Sequence, residues 1–156
     1  MKNVMITGVL ALTASFAQAA SAPASSHWTG SGHSYDLSGK ETDSYTLDVQ
    51  VAAGDDSGVE TVTVQIGGSG GRTETLVCQQ TTAGKGWTKT CSDGGKGSGT
   101  LFDYGLGEDY YVGADGTAYS TQIILDGADR MRLERVTLKN GQAVRFNAET
   151  LTKAAQ

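Results

Sequence analysis

Two histidines, His27 and His33, stand six residues apart, and with seventeen carboxylates in the chain they are the first place to look for acid–base or metal chemistry. An even spacing puts both rings on one face of a strand. A metal site needs further ligands at fixed geometry, and no His or unpaired Cys follows to supply them. The run Gly67-Gly68-Ser69-Gly70-Gly71 matches the spacing of a nucleophile elbow. That elbow needs a strand-to-helix turn and a later His, whereas both histidines precede this serine, so the run reads as a glycine turn. Aspartates 55, 56, 93, 115 and 126 lie in Asp-Asp or Asp-Gly pairs, none of which reproduces a calcium-loop spacing. Turn chemistry accounts for them. No nucleophile, acid and base converge, so the chain is expected to be non-enzymatic, with no metal and no cofactor.

The remaining residues with chemical character are cysteines, aromatics and one arginine. Cys78 and Cys91 are the only cysteines. With Gly84-Lys85 as a type II′ loop, counting outward sets Thr82 opposite Trp87, Gln80 opposite Lys89 and Cys78 opposite Cys91. Alternation makes the cysteines a non-hydrogen-bonded pair, where side chains approach closely enough for a cross-strand bridge. Tyrosines are spread along the candidate strands, and Tyr35, Tyr45, Tyr104, Tyr119 and Phe146 are candidates for lining a cavity, where a ring offers area and a hydroxyl offers orientation.

Arg135 stands out because of the hairpin that carries it. Residues 131–138 and 143–150 alternate apolar and polar and flank Lys139-Asn140-Gly141-Gln142, and Asn-Gly is a strong type I′ turn signal. Pairing outward from Asn140-Gly141 puts Met131, Leu133, Arg135 and Thr137 on the core face, opposite Thr150, Ala148, Phe146 and Val144. Arg132 opposite Glu149 and Glu134 opposite Asn147 form the outer face. Arg135 then points inward beside Phe146.

The rest of the chain supplies similar strands. Residues 28–35, 43–51, 59–66, 72–83, 86–91, 100–106, 108–112 and 118–125 precede the hairpin, separated by glycine-rich turns, with 92–98 as the most mobile-looking loop. One proline and twenty-two glycines, with no sustained helical period, are a composition of short strands. The class is all-β, an antiparallel up-and-down meander of about ten strands, and closing it into a barrel removes its edges.

The N-terminus reads as a signal peptide over residues 1–19: Lys2, an apolar stretch to Phe16, and Ala17-Gln18-Ala19 at the cleavage site. The apolar run is too short to span a bilayer. Residues 20–27 form a linker and 28–153 a single barrel domain. Without Lys2, the chain carries eleven basic against seventeen acidic side chains, which argues against nucleic acid as a partner. Export to a periplasm or the extracellular space also fits the cysteine pair.

Trp28-Thr29-Gly30-Ser31-Gly32 at the start, the meander and the inward arginine resemble the calycin superfamily, the lipocalin-like barrels, and within it nitrobindin-type domains. The resemblance implies that Trp28 packs over the closed barrel end with an arginine stacked on it, Arg135 or Arg145. Nitrobindins ligate haem through a late His, and no His follows His33, so haem is not implied. The functional expectation is binding of a small apolar or amphipathic ligand inside the barrel. The alternative is an envelope interaction protein or enzyme inhibitor acting through the glycine-rich loops.

Overall fold

The computed structural model describes residues 25–54 and 58–155. The expected signal peptide and most of the linker lie outside the described residues, while Ser26 and His27, placed in the linker by the sequence, open the first strand. Ten antiparallel strands follow: β1 Ser26–Tyr35, β2 Glu41–Ala53, β3 Val59–Gly68, β4 Thr73–Ala83, β5 Gly86–Cys91, β6 Lys96–Leu101, β7 Leu106–Val112, β8 Ala118–Leu125, β9 Arg130–Lys139 and β10 Gln142–Lys153. Each pairs with its sequence neighbours, and β1 pairs with β10 to close the barrel.

Strand alternation builds the interior. Tyr45, Leu47, Val49 and Val51 on β2 and Val62, Val64 and Ile66 on β3 point inward, and with Trp28, Trp87, Ile123, Met131, Leu133 and Leu151 they form one buried cluster. Fully burying such side chains contributes about 1.5–3 kcal/mol each. This cluster lies toward the end where β1 begins. The other end carries loops 36–40, 69–72, 92–95 and 113–117 and the 140–141 turn, and the interior beneath it holds a polar row beside a second apolar cluster of Leu76, Cys78, Cys91, Tyr111 and Tyr119.

Glycines inside the barrel are there because rings lie across them. A Cβ on Gly32 would meet the Tyr45 ring at 2.4 Å, and one on Gly99 would meet the Trp87 ring at 2.1 Å. On Gly30 it would meet the Thr150 carbonyl oxygen at 1.9 Å, so both glycines of the Trp-x-Gly-x-Gly opening answer close approaches.

The same cause corrects the expected loop at 92–98. Residues 96–98 belong to β6, where Gly97 lies under Lys89 and Tyr111 and the backbone pairs with β5 and β7. The strand expected over 100–106 breaks instead at a 3-10 turn, Asp103–Gly105. Tyr104 sits in it at φ 66 and is 100% exposed, so it lines no cavity.

The closing hairpin turns where expected, with Asn140 and Gly141 at φ 53 and 76. Its register is not the one counted from the turn. A β-bulge between Ala143 and Arg145 inserts one residue into β10, so Leu151 faces Met131, Glu149 faces Leu133 and Asn147 faces Arg135. A one-residue slip reverses the faces of a strand. Val144, Phe146, Ala148 and Thr150 therefore point outward, Phe146 being 42% exposed, while Asn147, Glu149 and Leu151 point inward.

Candidate functional site

The polar interior is built by register. Asp109 on β7, Thr121 on β8, Arg135 on β9, Asn147 on β10 and Ser34 on β1 are successive cross-strand partners, all inward and all buried. Glu149 and Tyr45 adjoin this row. Arg135 Nη2 donates to Glu149 at 2.8 Å and its Nε to Thr121 at 3.3 Å. The Tyr45 hydroxyl donates to the other Glu149 oxygen at 2.6 Å, and Asn147 Nδ2 donates to Ser34 and to Tyr45.

A second buried pair lies at the β5–β7 side of the same space. Lys89 Nζ donates to both Asp109 oxygens at 2.9 and 2.8 Å, and the Trp87 indole donates to Asp109 at 2.9 Å. Lys89 also lies 5.4 Å from the Tyr111 ring centre, within reach of its π face. Burial holds the Lys89 ammonium below the usual lysine range, although Asp109 works the other way. Burial, then the Glu149 charge, pushes the Tyr45 phenol well above the usual tyrosine range. The Tyr111 phenol is raised by burial and by its hydrogen bond to Asp93.

Of the residues expected to form a site, Tyr45 and Tyr119 are buried inside the barrel, but there they pack against other side chains. Nearly every inward residue among those described is less than a tenth exposed, so the interior is filled rather than hollow. Trp28 and Arg135 are not brought together. Trp28 is beside Lys153 of β10 and Arg135 beside Asn147, six residues or about 20 Å of strand apart. The Trp28 indole donates to Ser26 instead, and Arg145 faces Thr137 at the bulge. Cys78 and Cys91 are bonded, S–S 2.04 Å, with Cα atoms 4.0 Å apart in the register counted from the Gly84 turn. His27 and His33 pair separately, with Asp48 and Glu41.

Two concavities lie on the outer wall. One, of about 480 Å³, is polar and is lined by Thr29, Thr46, Asp48, Gln65 and Thr73 over glycine backbone. The other, of about 430 Å³, crosses β8, β9, β10 and the end of β1, where Tyr35, Val136, Phe146 and Ala148 meet Ser120, Gln122 and Glu134. The bulge creates this second groove by turning Phe146 out. Tyr35 and Phe146, both expected inside, are thus beside each other on the exterior.

No family model and no curated protein matches the chain. Among solved structures, the S-type phycobiliprotein lyase CPES from Guillardia theta aligns over 84% of this chain and 87% of its own, with TM-score 0.60 and 12% identity. The fold is calycin-like. At that identity the likeness concerns the fold alone. It still overturns the expectation of a non-enzymatic protein, because a barrel of this fold is itself named a lyase, and the lack of a recognisable acid–base motif does not exclude catalysis on it.

Proposed function

We propose that the protein binds a small amphipathic molecule with a positively charged head, held in the outer groove of β8–β10. The groove itself carries this reading: two aromatic rings and two aliphatic side chains face solvent beside a carboxylate, an amide and a hydroxyl. Its volume of about 430 Å³ suits a small organic ligand. Glu134 is its one solvent-facing charge, since the Arg135 guanidinium turns inward to Glu149. Aromatic faces beside a carboxylate favour an organic cation over an anion. The filled interior directs the ligand to the exterior. The disulfide fits an oxidising compartment, and we place the protein outside the cytoplasm on that ground.

Benzyltrimethylammonium is a suitable probe. Titrated into the folded protein, it should shift the backbone amides of residues 120–122, 134–136 and 146–148. Glu134→Gln or Phe146→Ala should weaken binding about tenfold, a loss of about 1.4 kcal/mol. Shifts confined to inward residues, or none at all, would reject the groove.

A further inference from the structure

The polar concavity of the outer wall owes its depth to a missing side chain. Across β1, β2, β3 and β4 one outward row runs Ser31, Thr46, Gly67 and Thr73, and Gly67 places nothing between its neighbours. A Cβ there would come within 2.6 Å of Thr46 Oγ1, so any larger residue would fill the floor. The hollow that results, about 480 Å³, has the size of a small-molecule site.

Its lining groups define what it can hold. The Thr29 and Thr73 hydroxyls and the Gln65 amide are exposed and make no side-chain hydrogen bond among the described residues. Asp48, held between His27 at 2.8 Å and Gln50 at 3.2 Å, keeps accepting lone pairs on both oxygens. Donors and acceptors are thus mixed around one hollow.

Charge and shape set other ligands aside. Neither lysine nor arginine lines the hollow, so an anion would meet Asp48 with no counter-ion of its own. No aromatic ring lines it to hold an organic cation, and one carboxylate already paired with His27 does not make a metal site. The Leu47 side chain turns inward, 2% exposed, so it offers an apolar ligand little surface. A sugar matches these groups: each of its hydroxyls both donates and accepts, and it brings no charge.

The strands beyond the hollow continue the same chemistry. Outward positions on β3, β4 and β5 hold only Thr, Gln, Val, Gly and Ala, although the chain carries seventeen acidic and twelve basic side chains. A neutral chain that leaves the hollow past Thr75 and Val77 strips water from no ion on these strands. The uncharged face suits several linked sugars rather than one.

We propose that the hollow on β1–β4 binds a neutral oligosaccharide, one unit seated over Gly67 and the next units lying along the outer face of β4 and β5. It shares no residue with the β8–β10 groove, and its test is independent of that groove's ligand.

The test is an NMR titration of the ¹⁵N-labelled wild-type protein with the neutral hexasaccharides maltohexaose, cellohexaose and N-acetylchitohexaose, and with polygalacturonate as the anionic control. At least one neutral chain should shift the backbone amides of residues 29–31, 46–48, 65–67 and 73–75, and polygalacturonate should not. Gln65→Ala, on the surface, should weaken that binding about fivefold, the loss of one hydrogen bond. Gly67→Val should abolish it while the rest of the spectrum stays in place. No shift with any neutral chain, equal shifts with polygalacturonate, or full affinity in Gln65→Ala would overturn the proposal, and the last of these decides even if Gly67→Val does not fold.

Discussion

Arg135 and Glu149 meet inside the barrel, two residues along β10 from direct opposition, with Nη2 2.8 Å from the carboxylate and both side chains sealed from solvent. An ion pair so placed gains little against an apolar pair of the same volume, because both charges lose their hydration. Breaking it on one side is far more costly.

Arg135→Met should therefore destabilise the barrel by about 3–5 kcal/mol, since Glu149 keeps a buried charge without its counter-ion. Arg135→Met combined with Glu149→Met should recover part of that loss. Urea unfolding of these variants and of Glu149→Met closes the cycle, and a double-variant loss equal to the sum of the two single losses would show that the two groups are not coupled.

Alkaline pH should weaken the fold through its buried phenols. Tyr45 and Tyr111 have folded pKa values above the usual range. As pH rises past about 10, the unfolded chain releases phenolic protons that these folded groups retain. The folded state then holds more protons than the unfolded one, and stability falls with rising pH. The urea midpoint should drop across that region, and less steeply in Tyr45→Phe. Phenolate absorbance from Tyr45 and Tyr111 should appear only as the protein unfolds.

The glycines beneath the rings should resist even a methyl group. Gly32→Ala and Gly99→Ala force the Tyr45 and Trp87 rings from their places and should cost about 1–3 kcal/mol each. A Cβ at Gly70 meets nothing within 4 Å, and Gly70→Ala should stay within about 0.5 kcal/mol of wild type. Thermal or urea unfolding of the three variants separates ring-driven glycines from turn glycines.

Replacing Cys78 and Cys91 together by Ala should lower stability by about 3 kcal/mol, because the bridge closes a loop of 13 residues in the unfolded chain. The loss should appear in the urea midpoint under non-reducing conditions. Reduced wild-type protein should show a similar midpoint if the loss comes from the cross-link rather than from the removed sulfur atoms.

Local rules were enough for the strand class, the meander order and the β4–β5 register. Tyr45, Leu47, Val49 and Val51 declare their face by alternation. Gly84 and Asn140-Gly141 declare their turns because only certain residues accept the required φ. The inward direction of Arg135 was legible for the same reason, being in phase with Met131 and Leu133.

The closing strand was not legible, because two registers compete there. Hydrophobicity favours Val144, Phe146 and Ala148 as its inner face, and the turn alone gives that answer. Arg135 reverses it: a buried guanidinium requires a carboxylate, and the bulge after Ala143 brings Glu149 and Asn147 inside at the expense of Phe146. A countercharge demanded by a residue on the neighbouring strand was the one available signal. By itself the sequence determined most of the segments that extend and most of the turns, since those depend on neighbours in the chain, but not the strand at residues 96–98 or the turn at residues 103–105. Only the tertiary structure decided which face of β10 meets the core, because that depends on ion pairing and ring packing between strands.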